Sequence, residues 1–323
     1  MANLKDVARI ADVSLITVSR VLNEPEKVKP DTRRRIEKII ADMDYTPNMA
    51  ARNLVSGRTG VVDVYIPYSI DLSNPFVMYF IIGISEVLSE TMNSFLIRRS
   101  RNKEHCCDGY IVTGLLTNEI DDFYSYAKLR NRPVALFGHT EIGEIDFIDV
   151  DNVRGAGMAV HHLIQNNHNR IGMINIDENK DHTVDRYMGF KKAMEDTENT
   201  VDPYLVIRAE NSIDGGKKAA QKLLQYGGCT ALFCASDILA IGAINAINEA
   251  GLSVPDDISI VGFDGLGYHL LFEPRITTIG QPVFEIGKKL AYTLLDRLNG
   301  REKRVAMLVQ PELIAGKTVS LKR

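Results

Sequence analysis

The stretch "DVSLITVSRVLNEPEKV", residues 12–28, decides how the N-terminal part of the chain folds. Ser14 is a good N-cap, and Val18, Val21 and Leu22 recur at helical spacing, so a helix starts at Ser14 and runs to about Asn23. Leu15 and Ile16 sit in its first turn, at least one of them off the apolar stripe. Upstream, "LKDVARIA" (4–11) repeats Leu4, Val7, Ala8 and Ile10 or Ala11 at helical spacing, and "ADVS" breaks it. Downstream, "EPEKVKP" is a two-proline loop. "DTRRRIEKIIADMDY" then forms a third helix, capped by Asp31 or Thr32, with Ile36, Ile39, Ile40 and Met43 inward and the arginines outward. Two short helices joined by a tight turn and followed by a third describe a helix-turn-helix head over residues 1–46.

The charge distribution agrees with such a head. The whole chain of 323 residues carries a net charge of −4, but residues 1–60 hold 11 Lys/Arg against 8 Asp/Glu, whereas the rest holds 27 against 34. A mildly basic head on an acidic body fits a surface that meets phosphate. No run of 18 apolar residues suits a membrane span. The opening "MANLKDVARIADV" carries acids and no apolar run, so it does not resemble a signal peptide, and a cytoplasmic location is expected. Cys106, Cys107, Cys229 and Cys234 form no CxxC pair and are expected to be free structural thiols.

From residue 60 the pattern changes. Apolar strand-length runs at 61–67, 94–98, 109–113, 133–138, 170–176, 203–208, 229–235 and 258–263 alternate with helix-length segments such as 153–166, 184–197, 213–226, 237–250 and 283–299. This alternation gives an α/β body of parallel sheets covered on both faces, in two units of about 120 residues each.

"LKDVARIADVSLITVSRVLN" followed by "VKPDTRRRIEKIIADMDYTPNMAARNL" resembles the N-terminal signature of the lactose-repressor (LacI/GalR) family of bacterial transcription factors, almost continuously over residues 3–54. In the body, "SNPF" (73–76), "VDNVRGAGMAVHHLI" (150–164), "DRYMGF" (185–190), "ASDILAIGAI" (235–244), "VGFDG" (261–265) and "TTIGQP" (277–282) also match that family. The resemblance implies a helix-turn-helix head plus a two-lobed effector domain like the periplasmic sugar-binding proteins. It divides residues 60–323 into a first lobe of about 60–149 and 282–307 and a second of about 152–277 and 311–323. The chain would cross between lobes near 149–152, 277–281 and 307–311.

The resemblance also implies site residues. The second helix enters the major groove, and Leu15 and Ile16 occupy its variable base-reading positions. Lacking donors, they can read only apolar features, chiefly thymine methyls. Arg20 suits a bidentate guanine contact, while Ser14, Thr17, Ser19 and Asn23 suit phosphate oxygens. On periodicity alone, Leu15 belongs equally well to the head's own core. Residues 47–59 correspond to a hinge helix and linker that fold on DNA. There Asn48, Ala51 and Leu54 meet the DNA, Ala51 allowing close helix approach and Leu54 wedging into the minor groove. In the cleft between lobes, Arg186 and Asp237 would line the effector pocket, and Phe76 would stack on an apolar ligand face; their bland alternatives are a surface charge, a helix cap and a core residue. Asp264 and Gln281 serve either the pocket or interlobe wiring.

The expected function is a DNA-binding transcriptional repressor of carbohydrate genes. Its expected partners are a pseudo-palindromic operator, a small carbohydrate or phosphorylated sugar, and a second copy in a homodimer, with no membrane. The alternative is a cytoplasmic sugar-binding module that does not bind DNA. No GxGxxG, P-loop, GxSxG or HExxH is present, and the seven histidines lack metal-ligand spacing. An enzyme, a cofactor and a metal are therefore not expected. One departure stands out: only "RSRNKEHCCD" separates "SFLIR" from "GYIVT", where the family has two turns or more of helix. A parallel crossover usually takes a dozen residues or more. Its loss would bare part of one sheet face and alter either the dimer surface or the pocket.

Overall fold

A computed structural model describes residues 3–23 (without the Asn23 side chain), 25–45, 58–91, 93–101 and 105–322. The chain divides into two units, Met1–Gly60 and Val61–Arg323.

In the first unit, α1 (Leu4–Ile10) is opened by a capping box in which Asn3 and Asp6 satisfy each other's backbone N–H groups. α2 (Leu15–Asn23) follows after a tight turn. Val7, Ala8, Ala11, Val18, Val21 and Ile36 form the core. Ala11, not Ile10, turns inward, since Ile10 stays exposed. α3 (Pro30–Asp42) begins one residue before the expected cap: Pro30 occupies the first helical turn, and Lys29 at the N-cap makes no side-chain bond. Proline's fixed φ and missing N–H suit that position, so neither Asp31 nor Thr32 is needed to start the helix.

The second unit holds two six-stranded sheets. The first sheet comprises β1 (Val61–Tyr65), β2 (Ser94–Arg98), β3 (Gly109–Thr113), β4 (Val134–Phe137), β5 (Asp146–Val150) and β11 (Ala306–Val309). Their order is β11-β5-β4-β3-β1-β2, all parallel. α4 (Pro75–Glu90) and α11 (Val283–Leu298) cover one face and α5 (Glu119–Leu129) the other. The second sheet comprises β6 (Ile171–Ile176), β7 (Val206–Ala209), β8 (Ala231–Cys234), β9 (Ser259–Asp264), β10 (Thr277–Gly280) and β12 (Glu312–Ile314). Its order is β12-β10-β9-β8-β6-β7, parallel except for β12. Helices α6 (Asn152–Gln165), α7 (Asp181–Asp196), α8 (Ile213–Tyr226), α9 (Asp237–Glu249) and the short α10 (Tyr268–Leu271) complete this lobe. The chain passes between sheets after Val150, after Gly280 and between Val309 and Glu312.

The "RYMGF" element has a packing explanation. α6 and α7 cross so closely at Gly189 that a Cβ there would lie 2.1 Å from the Val153 carbonyl oxygen. Only glycine admits that approach, and the neighbouring Phe190 is wholly buried in the second-lobe core.

The short crossover is a loop, and none of its described residues is helical. Asp63 on β1 and its register partner Leu96 on β2 lie on the face it crosses, and Leu96 is 44 % exposed. In place of a helix, Arg101 lies over Phe123 and Tyr126, and Cys107 is buried among the residues beneath α5. Arg99 reaches the other way. Its Nη2 donates to the carbonyls of Pro67 (3.0 Å) and Ile70 (2.7 Å), propping the loop that follows β1.

Candidate functional site

In the head, Leu15 is 41 % and Ile16 64 % exposed, while Val18 and Val21 fill the core. Leu15 is therefore not a core residue; the alternative that periodicity left open is excluded. The Ser14 Oγ accepts the Thr17 N–H at 3.2 Å, so Ser14 caps α2 as expected. Arg20 is exposed, and Thr17 and Ser19 are half-buried. Two apolar side chains standing in solvent beside an N-terminal helix end form a surface suited to a groove rather than to a core. Of the hinge and linker of residues 47–59, residues 47–57, with Asn48, Ala51 and Leu54, lie outside the described residues, as does the Asn23 side chain.

In the body, a cavity of about 560 Å³ opens between the two lobes. The C-terminal ends of strands surround it: Thr113 of β3, Phe137 of β4, Asp149 of β5, Ile176 of β6 and Asp264 of β9. This is where parallel α/β sheets bind ligands. Phe76, Arg186, Asp264 and Gln281 all line it. Phe76 stands at the start of α4, where the Asn74 Oδ1 accepts its N–H at 2.9 Å, and it packs on Phe137 at a ring distance of 5.1 Å.

Arg186 is not a surface charge. It is buried, donates from Nε to the Asn152 Oδ1 (3.0 Å) and from Nη1 to the Ala235 carbonyl (2.5 Å), and lies over the Phe263 ring at 3.7 Å. Asp264 stands 3.9 Å from Nη1. Its backbone has φ of +134°, a conformation that side chains other than glycine rarely adopt. Gln281 holds it there: the Gln281 Nε2 donates to the Asp264 Oδ1 (2.6 Å) and its N–H to the Asp264 carbonyl (2.9 Å). Both residues thus belong to the pocket wall and to the wiring at once.

Asp237 does not line the cavity. It is fully buried behind the wall, accepting from the Thr278 Oγ1 (2.6 Å) and the Gly265 N–H (2.9 Å). Nor does it cap α9, a task done by the Ser236 Oγ for Leu239. It fixes the β9 and β10 ends that carry Asp264 and Gln281. Burial raises the carboxyl pKa of both Asp237 and Asp264, and repulsion from Asp264 raises that of Asp237 further.

Several residues at the cleft carry no sequence signal. Thr117, in the first lobe, donates its N–H to the Asn179 carbonyl (3.1 Å) and its hydroxyl to the Asp181 Oδ1 (3.1 Å) in the second. His139, after β4, places Nδ1 3.7 Å from the Asp149 Oδ2 and 3.6 Å from the Asp185 Oδ2. The Asp149 carboxylate, with Asp181 and Asp185 close by, pushes the His139 pKa up to about 9. Burial lifts Asp185 to about 6. Among the described residues these three form the one group whose donor atoms are close enough to hold a metal, but a protonated imidazole between two carboxylates already accounts for the arrangement. His139 follows the C-terminal end of β4, but that position alone does not single it out, and its partners come from segments too distant for any spacing rule.

Comparison with known proteins adds the following. Residues 3–48 match the family described as bacterial regulatory proteins, lacI family, and residues 160–319 match the periplasmic binding protein-like domain. The HTH-type transcriptional regulator YvdE of Bacillus subtilis (strain 168) is 35% identical over 317 residues, covering 97% of this chain and 98% of that protein. The transcriptional repressor CytR of Escherichia coli (strain K12) is 32% identical over 313 residues, covering 93% and 91%. The solved complex of the transcriptional regulator CelR with cellobiose superimposes with a TM-score of 0.75 at 25% identity, covering 98% of this chain and 100% of that one.

Proposed function

Because the chain belongs to the lacI family of bacterial regulatory proteins, we propose that it represses carbohydrate genes under the control of a small sugar bound between its lobes. The family is one of DNA-binding transcriptional regulators, not of enzymes. The observation that carries the proposal is the cleft. It has the size for a mono- or disaccharide, its walls come from both lobes, and Arg186, Asp264 and Gln281 offer the paired donors and acceptors that neighbouring hydroxyls take. CelR, with the same architecture, is known with cellobiose.

In this reading the head reads a pseudo-palindromic operator as one half of a homodimer. Leu15 and Ile16 meet thymine methyls, Arg20 a guanine, and Ser14, Thr17, Ser19 and Asn23 the phosphates. Asn48, Ala51 and Leu54 act at the minor groove. Met78 and Ile82, exposed on α4, and Ile97, on the edge strand that α4 packs against, supply an apolar face for the second copy. No described helix is long and apolar enough to cross a membrane, and a protein that binds an operator would act in the cytoplasm. Sugar contacting both lobes alters the angle between them, and with it the separation of the two hinges; only unequal affinity for the two arrangements drives the switch.

The test is a gel shift on DNA upstream of the chain's own gene, with the full chain and a chain lacking residues 1–58, with and without sugars. A shift by the full chain alone, altered by a sugar, is the expected result. Sugar binding without any sequence-specific shift would establish the DNA-independent binding module instead.

A further inference from the structure

The charges around the cleft point to the chemistry of its ligand. Five carboxylates line the cavity, Asp71, Asp149, Glu178, Asp181 and Asp264, against two permanent cations, Lys180 and Arg186. Both cations are already compensated. The Lys180 Nζ lies 2.6 Å from the Glu178 Oε2. Arg186 commits Nε and Nη1 to protein acceptors and sits in the field of Asp264, Asp149, Asp185 and Asp237. His182 adds no charge, because burial and the neighbouring Arg186 and Lys180 keep its imidazole neutral. An anionic ligand would therefore meet no uncompensated cation, and would lose its hydration among carboxylates.

The opposite holds for a cation. Asp149 and Asp181 face the cavity; Asp149 is shared between the Val150 N–H (2.8 Å) and the His139 imidazolium, whereas Asp181 accepts the neutral Thr117 hydroxyl (3.1 Å). Asp181 belongs to the second lobe and Asp149 to the first, so a positive group between them would be drawn towards both lobes. We propose that the effector of this cleft is an amine-bearing sugar whose ammonium is received by the wall of Asp149 and Asp181, and that phosphorylated sugars are excluded. This rests on the reading of the cleft as a sugar site and narrows it to one class.

The experiment compares one ring in three charge states. Glucosamine, glucose and glucose 6-phosphate are titrated calorimetrically into the full chain at pH 7 and fixed ionic strength. The amine is expected to bind at least tenfold tighter than the parent ring, and the phosphate at least tenfold weaker. Because this ring can be the wrong one, methylammonium and inorganic phosphate are titrated separately against protein with 13C-labelled histidines. Methylammonium is expected to shift the His139 resonance at millimolar concentration and phosphate to leave His139 and His182 unmoved. Tighter binding of the phosphorylated ring, phosphate-induced shifts, or no response to methylammonium would each overturn the proposal. A methylammonium response with no sugar binding from a wide panel would sustain the cation subsite and overturn the sugar reading instead. Asp181→Asn, which keeps an oxygen to accept the Thr117 hydroxyl, is expected to narrow the amine-to-parent ratio at least threefold; an unchanged ratio would count against the wall.

Discussion

Replacing Asp146 by asparagine is expected to loosen the place where the chain returns to the first lobe. Asp146 opens β5 and is 1 % exposed. Its carboxylate accepts from the Arg297 Nε (3.0 Å) and Nη2 (2.8 Å), from the Arg301 Nη2 (2.9 Å) and from the Val305 N–H (2.7 Å). One side chain thus ties α11, the 300–305 turn and β11 to β5. Asparagine keeps the shape but leaves two guanidinium groups facing an amide, and removing one partner of a buried ion pair costs roughly 3–5 kcal/mol. For a unit of this size that is a fall in melting temperature of roughly 6–15 °C. Burial raises the Asp146 pKa, but the donors from Arg297, Arg301 and Val305 outweigh it, so the folded value lies below the ordinary 3.8. A depressed carboxylate stabilises above its unfolded pKa and stops doing so as pH falls through the folded one. Urea unfolding of both proteins should therefore show the full gap from pH 5 to 8 and a closing gap below about pH 4. A loss under 1 kcal/mol at pH 7, or a gap independent of pH, would refute the assignment of this network as the anchor.

Three further outcomes are expected. Exchanging Leu15 and Ile16 together for serine should move operator preference by about 1–3 kcal/mol at the facing base pairs while leaving the salt slope of non-specific binding unchanged, as measured by competition against random DNA. Gly189→Ala should destabilise the body by several kcal/mol, since the new Cβ meets the Val153 oxygen at 2.1 Å and the helices must part; thermal unfolding reads this directly. The imidazole of His139 gains its partners on folding, so its stabilisation is complete below pH 6.5 and fades as pH rises through about 9; His139→Gln should flatten the stability profile across that window.

The alternation of strands and helices was legible because the central strands of both sheets run parallel and are covered on both faces, which makes strands such as β6 and β8 near-continuous apolar runs. β5 escaped because "DFIDV" carries Asp146 and Asp149, each buried for a reason supplied elsewhere in the chain: two arginines in one case, a histidine in the other. β7 begins three residues later than its apolar run suggests, because Pro203–Leu205 forms a 3₁₀ turn ahead of Val206. In the cleft, Arg186, Asp264 and Gln281 were visible through motif resemblance. Asp237 was visible too, but its isolation behind Thr278 and Gly265 depends on the pairing of β9 with β10. Thr117 and His139 were invisible, because their meaning arises only when the lobes face each other.

The trimmed crossover also has a mechanical consequence. β2 is an edge strand whose one neighbour among the described strands is β1, and none of the described residues of the crossover forms a helix over its second face, so little holds its amides against local opening. The same segment leads into Arg99, the strut beneath the Pro67–Ile70 turn at the cleft. Fraying of this margin would release the strut, so deuterium should enter β2 well before the central β8, and a ligand filling the cleft should slow that uptake at a distance from itself.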